Sequence, residues 1–393
     1  MKQLREVLRT VAVKVEGARD SIFSVPINAQ KSYLCDFPEP RDDIERSFFQ
    51  YKCQMKLYGR WFTVLINLAS LPLLLAEMMR LTGAADRCAK DSVANEKRTA
   101  VFLRDGKPLN IAPASLIDSF EDVESSPDEG AVLMPKDRRF LLQVLRRYPF
   151  SWHFILKVLI KVSRYSFIIE VYRPISLIVC NEYSFTSSAA TAYLEQRGID
   201  HINVMHGDKL FNIRDSFFRF SRCYIWDAAY KELFLKLRAE PEQFIVEVPP
   251  SLKFANANEV KKSIDFTYYL GRESKKQLQH IASIMHELKE RGVNVSVRPH
   301  PRYSDTVVLT QMMASLEIED CESIPIEQSI LRTKNVIALY STVLQQAVSN
   351  GVTAIIDDVT APDRYGRLAE LGFVMLGKRH RLLSDVLGRL RES

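Results

Sequence analysis

Six cysteines are scattered along 393 residues as Cys35, Cys53, Cys88, Cys180, Cys223 and Cys321, with no C-x-x-C pair and no histidine at metal-ligand spacing. That sparseness excludes a disulfide framework and a zinc-finger type of site, and it points to a reducing compartment. The opening residues, MKQLREVLRTVAVKVEGARD, carry charge throughout and have no apolar centre, so they do not read as a secretory signal. No short-period repeat and no low-complexity tract appears. Nor is there an excess of one charge: 54 Lys and Arg against 48 Asp and Glu leave +6, too mild to suggest nucleic-acid binding. With 47% hydrophobic and 26% charged residues, disordered and collagen-like chains are excluded. The length suits two or three domains, and the expected location is the cytoplasm.

Through residue 95 the pattern is helical. Within it, Trp61 to Met79 approaches the length of a membrane span, but Asn67, Ser70, Pro72 and Glu77 interrupt it. A buried or membrane-surface helix is expected there rather than a span. Ala100 to Leu103 reads as a first strand, Asp118 to Asp128 as an acidic surface loop, and Asp137 to Tyr172 as a long basic and aromatic helical region.

From there the rhythm alternates. Ile175–Cys180 reads as a strand. The cluster Ser184, Thr186, Ser187 and Ser188 is suited to cap a helix that stops at Gly198. Strands follow at His201–Met205, Cys223–Trp226 and Gln243–Val248, with a helix over Ala228–Arg238. The pattern restarts beyond Pro249-Pro250. Strands are expected at Phe266–Leu270, Val293–Val297, Asn335–Leu339 and Thr353–Ile356. Helices are expected at Ser274–Arg291, Asp305–Ser315, Ile326–Arg332, Ser341–Ser349 and Leu382–Leu390. Short apolar strands alternating with helices mark parallel sheets covered on both faces. The division is a helical segment over 1–95, α/β domains over 96–255 and 256–380, and a closing helix over 381–393.

In such sheets ligands bind beyond the carboxyl ends of the strands, and the residues at those ends are polar. They include Asn181-Glu182, His206-Gly207-Asp208, Gly271-Arg272-Glu273, Arg298-Pro299-His300-Pro301-Arg302 and Tyr340-Ser341-Thr342. His300 is held between two prolines, which stiffen its loop, and the arginines beside it suit a phosphate-bearing ligand. Ser341-Thr342 opens a helix directly after a strand, either as an ordinary N-cap or as a holder of phosphate or carboxylate. His206 suits a general base or a partner for developing charge, and Asp208 and Glu182 compete for the base role.

The succession of His206-Gly207, Gly271-Arg272, Arg298-Pro299-His300-Pro301 and Tyr340-Ser341-Thr342 resembles glycosyltransferases of the GT-B type. More narrowly it is similar to bacterial enzymes of capsule, lipopolysaccharide and teichoic-acid synthesis, among them sialyl-, polysialyl- and Kdo transferases and CDP-glycerol glycerophosphotransferases. The resemblance covers about residues 165–375. It implies an α/β fold of two Rossmann-like doubly wound domains facing a cleft, with a helical N-terminal extension. His300 and Ser341-Thr342 would hold the phosphate of a cytidine-nucleotide donor, with Gly271, Arg272, Arg298 and Pro301 close to the nucleotide, and His206 would face the reaction centre. The expected activity is inverting, metal-independent transfer of a sialic-acid- or Kdo-like sugar from a CMP donor to a surface glycan. No separate cofactor is expected, and the lack of an Asp-x-Asp triplet agrees with that. The alternatives are a polyol-phosphate transferase, a sugar-nucleotide epimerase and a non-catalytic scaffold. The acidic motif of the sialyltransferases has only partial counterparts, Asp128-Glu129-Gly130 and Arg104-Asp105-Gly106, which leaves the base open.

Residues 146–168 form a basic amphipathic stretch. Phe154, Ile155, Val158, Leu159 and Val162 share one helical face, with Lys157, Lys161 and Arg164 on another. It suits an anionic membrane surface, or a core helix with snorkelling lysines. The expected partners are a nucleotide-sugar donor, a glycan or lipid-linked acceptor and this possible membrane contact.

Overall fold

The structure, a computed structural model, describes residues 25–82, 99–103, 109–125, 130–255 and 260–392. Three helices come first: α1 (Ile27–Cys35), α2 (Asp43–Tyr58) and α3 (Arg60–Thr82). The first domain continues with β1 (Thr99–Phe102), the single turn α4 (Ala114–Ile117), β2 (Asp122–Ser125), α5 (Pro135–Arg147), α6 (Trp152–Tyr172) and β3 (Ser176–Val179). After it come α7 (Ser187–Glu195), β4 (Asp200–Val204), β5 (Arg222–Ile225), α8 (Ala228–Lys236) and β6 (Phe244–Val246). The second domain runs β7 (Ile264–Tyr269), α9 (Lys275–Glu290), β8 (Val295–Arg298), α10 (Thr306–Met312), β9 (Glu317–Ile318) and α11 (Ile326–Leu331). It ends with β10 (Thr333–Ala338), α12 (Thr342–Ser349), β11 (Thr353–Ile356), α13 (Pro362–Glu370), β12 (Arg381–Leu382) and α14 (Leu383–Glu392).

Each domain holds one six-stranded sheet, ordered β2-β1-β3-β4-β5-β6 and β12-β11-β10-β7-β8-β9, and every pairing is parallel. Parallel strands covered by helices on both faces must be apolar on both faces. β1, β3 and β8 are accordingly buried at every residue. In the second sheet the chain leaves β7 toward β8 on one side and returns through β10 on the other. That change of direction opens a crevice at the carboxyl ends of β7 and β10, where doubly wound sheets take ligands. The two doubly wound domains have the GT-B arrangement.

Local signals explain most of the elements. α9 begins with a reciprocal capping box, in which Ser274 and Gln277 bond each other's backbone N–H. Gly198 follows α7 with φ +67°, a conformation that glycine takes without steric cost. The N-terminal helices belong to the body of the first domain. Ser47 on α2 accepts from Ala189 N–H at 2.7 Å, and Arg219 bonds both Asp43 and Glu195. α14 joins the second domain, with Leu383 and Leu387 in its core.

Three expectations are corrected. The acidic stretch 118–128 is not all loop: Asp122–Ser125 form β2, a polar edge strand pairing with β1. The Ser/Thr cluster does not cap α7. Thr186 makes no side-chain capping bond, Ser184 and Thr186 bond each other, and Ser187 donates to Asn181 O, because these hydroxyls brace the loop after β3 instead. The apolar face expected to meet a membrane in 146–168 is not presented to one. On α6 the residues Phe154, Ile155, Val158, Leu159 and Val162 are all buried, packed with both sheet and helices, and Lys161 lies over the Tyr165 ring. It is a core helix with snorkelling lysines. Asp128, Glu129 and Arg104-Asp105-Gly106 lie outside the described residues.

The domains are joined by the linker after β6. Asn350, at the end of α12, accepts from Phe254 N–H and donates to Leu252 O, each at 2.7 Å, while Gln346 donates to Ser251 O at 2.9 Å. At about 1 kcal/mol per bond, Asn350→Ala is expected to lower stability by about 2–3 kcal/mol in urea unfolding. A loss below about 0.5 kcal/mol would show that the linker is held otherwise.

Candidate active site

Glu182 follows β3, and its side chain is 1% exposed. A buried carboxylate needs a counter-charge, and Lys209, in the loop after β4, supplies it by an ion pair within that enclosure. His206 adds a second contact, its Nδ1 lying 3.6 Å from Glu182 Oε1. Burial pushes the Glu182 carboxyl up, but Lys209 and His206 outweigh it and hold the group at about 2. Gln50 on α2 donates to Glu182 O at 3.0 Å and fixes the backbone as well. Glu182 is therefore no general base. It is a fixed charge that ties the loop carrying His206, Gly207 and Asp208 to the end of β3.

Asp208, which lines the cavity, is tied in place as well. Tyr230 donates to its Oδ1, and its Oδ2 is buried without a partner. Burial pushes its carboxyl up to about 6 against the pull of Tyr230, Lys378 and Lys209. Its carbonyl accepts from Tyr340 of the second domain at 3.0 Å, so this residue joins the two lips of the cleft. His206 keeps a partly exposed ring with Nδ1 turned inward toward Glu182. A carboxylate beside Nδ1 favours the proton on that nitrogen and leaves Nε2 to accept one.

Gly207 and Asp208 line one side of a cavity of about 380 Å³. Gly271, Arg272, Glu273, His300, Tyr303, Tyr340, Ser341, Thr342 and Arg364 line the rest. The cavity thus lies at the crevice between β7 and β10, closed by the β4 loop of the first domain. A Cβ built on Gly207 would meet no protein atom, so the space beside it belongs to the cavity.

On the second domain's side, His300 donates its backbone N–H to Ser304 Oγ at 2.8 Å, and its Nδ1 accepts from Arg302 N–H at 3.1 Å. The ring stacks on Tyr303 at 4.4 Å between centroids, and Arg272 lies over that same tyrosine at 5.4 Å. With Nδ1 accepting, the neutral ring carries its proton on Nε2 and can donate from there. Burial, with Arg302 beside it, lowers the His300 pKa and keeps the ring neutral at pH 7. Ser341 caps α12 by accepting from Val343 N–H, and Leu344 N–H bonds Ser341 O, so the helix presents its positive end, through Thr342, at the cavity wall. Glu273 accepts from Gly271 N–H through both oxygens at 2.8 Å. Among the described residues no group of three His, Cys, Asp or Glu side chains is placed to hold a metal ion.

Four expected site residues do not line this cavity: Glu182 and His206, placed as described above, and Arg298 and Pro301. Arg298 is turned into the core, where it bonds Glu319 at 2.8 Å and Ile324 O at 2.9 Å, so its guanidinium is not available to a phosphate. Pro301 is exposed and does not line the cavity; it shapes the turn. Sequence reasoning missed Arg364 and Tyr303. Arg364 stands in the first turn of α13, a short helix whose Pro and Gly hide its helical period.

No protein-family model matches the chain, and no curated protein matches it. Solved structures resemble it over much of their length. A wall teichoic acid polymerase, TagF, is 10% identical, with a TM-score of 0.47 over 85% of this chain and 88% of that one. A UDP-GlcNAc 2-epimerase from Methanocaldococcus jannaschii is 11% identical, with 0.44 over 75% and 91%. Another from Neisseria meningitidis is 13% identical, with 0.42 over 68% and 84%. Values this low transfer no residue and no activity, and the fold stands on the two sheets themselves.

The buried ion pair gives a direct test. Lys209→Met leaves an uncompensated buried carboxylate and is expected to cost about 3–5 kcal/mol in denaturant unfolding, with much of it restored in Lys209→Met/Glu182→Gln. Equal losses in the single and double variants would contradict the pairing.

Proposed function

We propose that this chain is a transferase that takes its donor from a cytidine diphosphate carrier and moves a polyol phosphate to a hydroxyl of a surface-glycan or lipid-linked acceptor. The observation that carries this reading is the His300 ring, fixed with Nε2 as donor on a wall shared with Arg272, Arg364 and the N-terminus of α12. Two arginines, a helix terminus and an imidazole exceed what the single phosphate of a CMP-sugar requires. A diphosphate uses all of them. The cytidine base follows from the resemblance of the His-Pro and Ser-Thr motifs, and a nucleotide donor places the reaction in the cytoplasm.

In this reading the acceptor oxygen attacks the phosphorus that bears the polyol. The new O–P bond forms, the bond from that phosphorus to the bridging oxygen breaks, and CMP leaves. His206 Nε2 takes the acceptor's proton, while Glu182 stabilises the imidazolium that results. Arg272, Arg364, His300 and α12 meet the charge that grows on the departing phosphate. A fixed Glu182–Lys209 pair costs no reorganisation as that happens.

Calorimetry separates the possibilities. CDP is expected to bind at least about tenfold tighter than CMP, and His300→Ala to weaken CDP about tenfold with the fold unchanged. His206→Ala is expected to leave CDP affinity intact and to lower turnover of CDP-glycerol by about 10²–10⁴. Preference for UDP would overturn the cytidine reading, and failure of every nucleotide to bind would leave a scaffold.

A further inference from the structure

α3 has its amphipathicity reversed. A surface helix ordinarily turns polar residues to water and apolar ones to the core. Here the exposed stripe comprises Trp61, Val64, Leu65, Leu68, Pro72, Leu75 and Met79, spaced at three, four or seven residues along one face. Trp61 is 82%, Leu65 65% and Met79 72% exposed. No charged residue stands between Arg60 and Glu77, and Glu77 itself is buried and paired with Arg80 at 2.7 Å. Phe150 extends the patch. It is 78% exposed, and its carbonyl accepts from Asn67 on α3 at 2.8 Å.

Contiguous apolar surface of this kind marks an interface, and we propose that it is the face by which the protein docks on an anionic lipid bilayer, with α3 lying in the membrane plane. The opposite side of α3 decides against a span. Ser70, Leu74, Glu77 and Leu81 are buried, and Leu74 and Leu81 share a core with Phe154 and Val158 of α6. Crossing the bilayer would strip those contacts and carry Glu77 into hydrocarbon. An in-plane pose keeps them, and it places Trp61 at one end, where indole rings favour the interface.

The charges around the patch select a lipid over a second copy of the chain. Arg60 and Arg80 stand at its two ends, and Arg146 is exposed four residues before Phe150. Lys157 is exposed one turn beyond His153, whose N–H bonds Asn67. Cations that rim an apolar helix face complement anionic headgroups. A two-fold contact through α3 would instead bring Arg60 against Arg80 or against its own copy. This docking does not depend on the nature of the donor. It does place the acceptor side next to the lipid, because α2 runs into α3 through Gly59 (φ +85°), and Gln50 and Gln54 on α2 hold the carbonyls of Glu182 and Tyr183.

Co-sedimentation of the full chain with phosphatidylcholine vesicles, with and without phosphatidylglycerol, tests this, together with its mass in solution. The wild type is expected to pellet with the anionic vesicles. Leu65→Ser/Leu68→Ser, at exposed positions, is expected to weaken that binding by more than about tenfold. Arg60→Gln is expected to weaken it about fivefold on anionic vesicles only. CDP affinity should be unchanged in all three proteins, which keeps failure here distinct from failure of the catalytic reading. No vesicle binding by the wild type overturns the proposal, as does binding that the double serine variant retains. A dimer that the serine variant dissociates, without vesicle binding, assigns the face to a second copy instead.

Discussion

A carboxylate with no access to water governs the geometry of this cleft. Glu182 follows β3 inside the first domain, and only an ion pair makes its burial tolerable. Lys209 provides that pair from the loop after β4, and in doing so it draws His206, Gly207 and Asp208 into fixed places. The same loop meets the second domain through Tyr340. One electrostatic requirement thus sets the position of His206 and the closure of one lip of the cavity against the other.

The opposite wall is arranged differently. There two arginines, Arg272 and Arg364, stand beside a neutral imidazole with a defined donor nitrogen, a capped helix terminus and the ring stack that supports Arg272. Such groups need no rearrangement to meet negative charge as it develops. A fixed charge pair orients His206 on one side, and preset hydrogen-bond donors face the cavity on the other.

Much of this could be read from the sequence, for reasons that also mark where reading stops. Strands such as ISLIVC are apolar on both faces and betray a covered parallel sheet, and glycines and capping residues punctuate the helices. β2, with the sequence DVES, escaped because an edge strand needs little apolar surface. Arg298 was misread because its partner Glu319 lies 21 residues away, and spacing cannot show a pairing made by β8 and the segment after β9. The exchange between α3 and α6 is the clearest limit. Both are long and apolar, and only packing reveals that the basic one buries its apolar face while the other carries apolar residues outward. Of the site, the loop ends after β4, β7, β8 and β10 were legible because their polar residues interrupt apolar runs. The roles within that set were not, since they depend on which side chains are buried.

The most direct measurement is a crystal structure of the chain soaked with cytidine diphosphate. The account predicts the nucleotide in the cavity between Gly207 and Thr342, with phosphate oxygens within hydrogen-bond distance of His300 Nε2 and of the first N–H groups of α12, and His206 facing the terminal phosphorus. A nucleotide bound elsewhere, or phosphates that leave His300 untouched, would contradict it.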